Sequence, residues 1–196
     1  MAKIKATANG SRQEAITKKA AILFRKKGFK AASMRELAEN IGVEAPSLYN
    51  HIGSKGELLQ NICFKIASLF MDQLEVVENS KTTAVDKLDK LIRFHIKMML
   101  QSFDEVFVAN HEWKYLDEPH LTNFLAQRKN YEGKMLLLVN EGIQNKELKN
   151  IHPHVAVLTI LSAVRGLEFW HRHKKEISEA ALEDNIVEHL LKGLIK

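Results

Sequence analysis

The sequence predicts an all-α protein of about nine helices, with a small N-terminal three-helix head and a larger helical body. Three observations carry this reading. Pro (3) and Gly (9) are few in 196 residues, so long helices run uninterrupted. Runs of alternating β-branched and aromatic residues are missing, which leaves no signal for a sheet. Apolar residues recur instead at helical spacing between cap and stop residues.

The elements follow in order. Residues 1–10 are polar, lack a helical period and read as a flexible arm. The first helix runs from near Ser11 to about Lys27, with Ile16, Ala20, Leu23 and Phe24 as its buried stripe and Gly28 as its stop. Ser33 is the N-cap of the second, and Glu36 completes a capping box. Met34, Leu37, Ala38 and Ile41 then form one apolar face, and Gly42 supplies the sharp turn. Glu44-Ala45-Pro46 opens a short third helix ending near Ile52. Ser54 with Glu57 is a second capping box, which starts a long helix to about Asn79. Thr82 or Thr83 starts the next, to about Phe103, and a shorter one spans about 105–116. Asp117-Glu118-Pro119 starts a long helix to about Asn145, which Gly142 and the polar stretch 145–150 end. His152-Pro153-His154 opens a helix to about Lys174, and Ser178 starts the last one. Two functional domains result, residues 1–53 and 54–196.

Hydrophobic content of 45% and charged content of 27% fit a folded globular chain and exclude a disordered one. The single cysteine, Cys63, excludes an internal disulfide and a Cys-rich zinc site, and fits a reducing cytoplasm. No stretch reads as a signal peptide or as a membrane span. The net charge of +5 is unevenly placed. Residues 1–60 hold 11 Lys+Arg against 5 Asp+Glu, whereas residues 61–196 hold 18 against 19. The positive excess lies in the head, as expected where one end of a protein meets a polyanion.

The second and third helices, joined through Gly42, have the pattern of a helix-turn-helix. The third turns Ala45, Ser47, Tyr49, Asn50 and His51 outward and Leu48 and Ile52 inward, so it fits a DNA major groove. The series Ser33-Met34-Arg35-Glu36-Leu37-Ala38, Ile41-Gly42-Val43, Ser47-Leu48-Tyr49-Asn50-His51-Ile52 and Ser54-Lys55-Gly56-Glu57-Leu58-Leu59 closely resembles the DNA-binding head of the tetracycline-repressor (TetR) family. Ala20–Phe29 resembles that family's first helix. The likeness covers roughly residues 11–60. Ile52 stands where an aromatic residue is more usual, and Gly56 where an acid is frequent. The body resembles the family only in length and helical pattern.

The resemblance implies a homodimeric bacterial transcription factor, usually a repressor, that leaves its double-stranded operator DNA when a small-molecule effector binds the body. No cofactor is expected. Arg35 takes a position that approaches phosphate or a base edge, and a guanidinium suits either. Ser33 stands beside it at the helix start. Small side chains at Ala45 and Ser47 permit close approach to bases. Tyr49 and His51 resemble the family's phosphate-contacting aromatic and imidazole, with Asn50 between them. Lys55, at the start of the fourth helix, sits where amides and an ammonium favour a phosphate.

In the body, Met99, Phe103, Trp113, Phe124, Tyr131, Met135 and Trp170 are material for either a core or an effector pocket. The helix from Val155 to Trp170 is apolar almost all round. With the last helix it makes a seam for a four-helix dimer interface, through Leu158, Leu161, Leu182, Ile186, Leu190 and Leu194. Two effector classes stay open. Fatty acyl or acyl-coenzyme A ligands would use Arg128, Lys129, Arg165 and Arg172 for phosphates. Aromatic cations, as in a multidrug sensor, would need buried acids such as Glu112, Glu141 and Glu168. A metal is not expected, because the His pairs at 152/154 and 171/173 do not face one way on a helix. An enzyme is not expected either: no phosphate-binding Gly loop, nucleophile elbow or H-E-x-x-H helix is present. A helical adaptor protein would explain the helices but neither the motif nor the charge asymmetry.

Overall fold

The computed structural model describes residues 2–49, 52–170 and 177–196, without the side chains of residues 2–11, 45 and 47. Nine α-helices are present among these residues: α1 (Ala2–Lys27), α2 (Met34–Ile41), α3 (Ala45–Tyr49), α4 (Lys55–Glu78), α5 (Ala84–Gln101), α6 (Phe103–His111), α7 (His120–Gln144), α8 (Pro153–Trp170) and α9 (Glu179–Leu194). A 3-10 turn, Trp113–Tyr115, follows α6. The all-α class expected from the sequence is the one observed.

One boundary differs from the sequence reading. α1 starts at Ala2, so residues expected as an arm are helical. Extending a formed helix costs less than nucleating one, and the Ala and Lys residues of this stretch are good helix formers. α7 ends at Gln144, next to the expected Asn145, and Gly142 lies within its last turn. Its reason is space: a Cβ there would stand 2.7 Å from Leu148 Cδ1 and 3.0 Å from Ala84 Cβ. Leu148 is 2% exposed and closes the end of that packing.

The chain forms two compact units. The first comprises residues 1–67 and 104–125, and the second residues 68–103 and 126–196. The unit holding the helix-turn-helix therefore takes in the start of α4, α6 and the 3-10 turn, beyond the domain of residues 1–53 read from the sequence. Its core contains Ile16, Ala20, Phe24, Leu37, Leu48, Ile52, Leu58 and Ile62, each 3% exposed or less. In the second unit α5 packs on α8 and α9. Leu88, Leu91, Ile92 and Ile96 of α5 bury completely there.

The helix starts use local chemistry. Thr83 makes a full capping box with Asp86 at α5. The next amides of α5 are taken by Glu147, whose Oε2 accepts from Ala84 N–H at 2.6 Å and Val85 N–H at 3.3 Å. Arg93 then ties α5 to α9 through Glu183 (2.8 Å) and Asp184 (2.9 Å), while also holding Asp89 at 3.0 Å. Among the described residues no helix is long and apolar enough to cross a membrane, and no group of His, Cys, Asp and Glu has the makings of a metal site.

Candidate functional site

The motif is built by caps and one glycine. Ser33 Oγ accepts from Glu36 N–H at 3.2 Å and starts α2. Glu36 does not complete the expected box: its carboxylate pairs with Lys27 Nζ at 2.5 Å, which binds α2 to the end of α1. Gly42 stops α2 in the left-handed region (φ 81°, ψ 34°). Its N–H and that of Val43 both reach Ala38 O, at 3.0 Å each, so the turn satisfies the carbonyls that α2 leaves open. Leu37, Ala38 and Leu48 are each 1% exposed and fix α3 against α2.

This frame leaves part of the expected DNA-facing set exposed to solvent. Tyr49 is 50% exposed, although it is a large aromatic residue. Arg35 is almost fully exposed, and its partner Glu39, one turn on at 3.2 Å, is exposed too. A surface pair of this kind is worth little and exchanges readily for a phosphate. Ser33 is exposed beside them. The side chains of Ala45 and Ser47, and residues Asn50 and His51, lie outside the described residues.

Lys55 has a different place from the one expected. Its ammonium donates to Phe29 O and Ala32 O at 2.9 Å each and to Lys30 O at 3.4 Å, and it lies 4.5 Å from the centre of the Phe29 ring. Three protons meet three carbonyls of the α1–α2 connection, so this lysine braces the head from within. The sequence hid this because the carbonyls belong to a segment about 25 residues upstream.

The same connection is gripped by α6 and the 3-10 turn, which the sequence did not indicate. Phe29 N–H donates to Glu112 Oε2 at 2.8 Å. The Phe29 ring stacks on Tyr115 (5.7 Å between centroids) and meets Phe24 edge-on (5.3 Å). Arg25 of α1 pairs with Asp104 of α6. Any displacement of α6 therefore acts directly on the end of α1 and the start of the motif.

The expected pocket residues divide between the units. Trp113 and Phe124 lie in the first, where Phe124 packs edge-on against Phe64 at 5.9 Å. Met99, Phe103, Tyr131, Met135 and Trp170 lie in the second. Met99, Phe124, Tyr131 and Met135 are buried, and Phe103, Trp113 and Trp170 are half-buried. Sequence reasoning missed His95 of α5. Its Nε2 lies 2.8 Å from Tyr131 Oη, and its ring stacks on Phe70 at 4.4 Å. Burial, with the charge of Arg165 as a second cause, pushes His95 down to about 3. Burial alone pushes the Tyr131 phenol up. Both are neutral near pH 7.

Two acids proposed for a cation are already engaged: Glu112 with Phe29, and Glu141 with Lys87 at 3.6 Å. Among the basic groups proposed for phosphates, Lys129 and Arg165 are exposed, Arg128 is half-buried, and Arg172 lies outside the described residues.

The expected dimer seam separates into two sets. On α8, Leu158 is 66% exposed, with Val155 (57%) and Phe169 (66%) on the same face. Leu161, Leu182 and Ile186 are half-buried. Leu190 and Leu194 are 8% exposed and turn into their own unit, where the period of α9 brings them under Val187 and Leu191. An open groove of about 530 Å³ runs along Ala163, Leu182, Ile186 and His189.

Comparison with known proteins agrees with this geometry. Residues 16–62 match the model of bacterial regulatory proteins of the tetR family, and residues 81–194 match that of the tetracyclin repressor-like C-terminal domain. The chain is 23% identical over 134 residues to the HTH-type transcriptional repressor KstR2 of Mycolicibacterium smegmatis, a match spanning 68% of this chain and 65% of that protein's length. The ketosteroid transcriptional regulator KstR2 of Mycobacterium tuberculosis has the same fold, with a TM-score of 0.87 at 18% identity over 94% of this chain and 95% of that one. AibR, solved with isovaleryl coenzyme A and operator DNA, superposes with a TM-score of 0.80 at 25% identity, covering 92% of this chain and 98% of that one. With a capped helix-turn-helix at one end and a family model matched along the helical body, this chain belongs to the tetracycline-repressor family of bacterial regulatory proteins.

Proposed function

We propose that the protein is a transcriptional repressor that binds double-stranded operator DNA as a homodimer and is released by a small, mostly apolar effector. One observation carries the DNA role above the rest. The motif of α2 and α3 is fixed by Ser33, Gly42 and the fully buried Leu37 and Leu48, and the unit that holds it turns Arg35 and Tyr49 to solvent. Rigid helices presenting such groups suit phosphate positioning, with the outward residues of α3 at base edges. A solvent-facing Leu158 on an apolar helix supports the dimer, since two copies place two recognition helices on the half-sites of a near-palindrome.

The release mechanism follows from the grip on Phe29. An effector whose binding displaces α6 would pass that displacement through Glu112, Tyr115 and Asp104 to Phe29 and Arg25, and so to the motif. An effector releases DNA only by binding the incompetent state more tightly; a hundredfold preference supplies about 2.7 kcal/mol.

For the effector, fatty acyl or acyl-coenzyme A ligands are favoured over aromatic cations. The engagement of Glu112 and Glu141 within the chain disfavours a cation site, and AibR, a structural neighbour, was solved with an acyl-coenzyme A. The test is a gel shift with DNA flanking the gene, titrated with isovaleryl-coenzyme A and dodecanoyl-coenzyme A. Retention of a specific fragment at physiological salt, and its release by micromolar acyl-coenzyme A, is the expected result. Release by an aromatic cation that does not intercalate into DNA, such as tetraphenylphosphonium, with neither thioester active, would replace the acyl reading by a multidrug one.

A further inference from the structure

The second unit holds a polar cluster that nothing in DNA binding uses. His95 lies against Phe70, with Phe94 and Tyr131 meeting Phe70 edge-on at 5.4 and 6.0 Å. Its Nε2 shares a 2.8 Å hydrogen bond with Tyr131 Oη. His95 as a whole residue is half-buried. One turn before Tyr131 on α7 stands Gln127, whose Oε1 is buried and has no hydrogen-bond partner. Buried polar atoms nearly always find a partner, and an orphaned one destabilises the fold. A site that receives its donor from a ligand accounts for the exception.

Resting on the reading above of a mostly apolar effector, and not on its acyl class, we infer that Gln127, Tyr131 and His95 form the polar end of the effector site and select a ligand carrying an uncharged hydroxyl on an apolar body. Gln127 Oε1 accepts a hydrogen bond. The Tyr131 oxygen keeps an accepting lone pair whichever way its bond to His95 runs. A hydroxyl donates its one proton to Gln127 Oε1, the acceptor that lacks a donor. A carbonyl or ether brings only further lone pairs. An ammonium or carboxylate would shed its hydration against a cluster without formal charge, since burial keeps both His95 and Tyr131 neutral. The guanidinium of Arg165, which also acts on His95, is solvent-exposed.

The experiment uses the full chain and three probes: 1-dodecanol, its methyl ether and dodecanoyl-coenzyme A. Affinities come from tryptophan fluorescence and calorimetry, and release is read on labelled operator DNA. Wild type is expected to bind the alcohol roughly tenfold more tightly than the ether, the usual cost of leaving a buried acceptor unmet. Gln127→Leu should bring that ratio to near one while its thermal midpoint holds or rises, because the variant removes an orphaned oxygen. Equal binding of alcohol and ether, binding of neither, or an unchanged ratio in Gln127→Leu overturns the inference. The thioester separates the two readings. If it releases DNA while alcohol and ether bind alike, the acyl effector stands and hydroxyl selection falls. If the alcohol is preferred through Gln127 but no probe releases DNA, selection stands and the release mechanism falls.

Discussion

His95 carries a consequence for stability that can be measured without any ligand. Burial holds its imidazole near 3 in the folded protein, whereas an unfolded chain titrates near the ordinary value of 6.5. Between these two values the unfolded state binds the proton and the folded state does not. Stability therefore rises with pH through this window and is lost as pH falls below about 6.5. The single-site slope is about 1.4 kcal/mol per pH unit, so roughly 2 kcal/mol disappears between pH 7 and pH 5. Replacing His95 with Gln, which cannot take up a proton, should flatten this part of the profile in urea melts at pH 5, 6 and 7. The same slope in both proteins would mean the imidazole is accessible enough to protonate in place.

At the scale of elements, the head separates two roles that basic residues share in sequence. Arg35 faces solvent from α2, whereas Lys55 at the start of α4 spends its three protons on carbonyls of the α1–α2 connection. Arg35→Ala should weaken binding to all DNA sequences alike and lower the dependence of log affinity on log salt by about 1. Lys55→Met should leave that dependence unchanged and instead reduce the thermal midpoint, because three carbonyls lose their donor at once. A lowered salt slope in Lys55→Met, with stability unaltered, would return Lys55 to the phosphate-binding set. The two caps at Ser33 and Thr83 were readable in the sequence because each bonds an amide three residues on. Glu147 capping α5 and Glu112 holding Phe29 were not, since their partners lie 63 and 83 residues away.

For the whole molecule, the test of assembly moves to α8. Leu158→Glu places a carboxylate on a face that is already solvent-exposed in the single chain, so the fold should persist while the dimer dissociates. Sedimentation at micromolar concentration should show a folded monomer that no longer retains operator DNA. Leu190→Glu is a poorer probe: at 8% exposure it would bury a charge within its own unit and unfold it. A dimeric Leu158→Glu protein would place the interface elsewhere. The exposed stripe of Val155, Leu158 and Phe169 and the buried Leu190 and Leu194 are equally apolar in sequence. Only packing within the second unit tells them apart.

The sequence by itself determined the helices, the helix-turn-helix and the family, because those depend on relations within a few turns. Ser33 to Glu36, the 3.6-residue period of Met34–Ile41 and the left-handed Gly42 are all local, and local chemistry leaves a spaced signature. It also located the positive head, since charge is additive along a chain. The tertiary structure decided which residues meet across long intervals. It drew Lys55 inward, joined α6 to the end of α1, set His95 against Tyr131 and left Gln127 Oε1 buried and without a partner. No period or spacing encodes these pairings. They follow from how whole helices pack, where one buried face fixes the neighbours of every side chain on it.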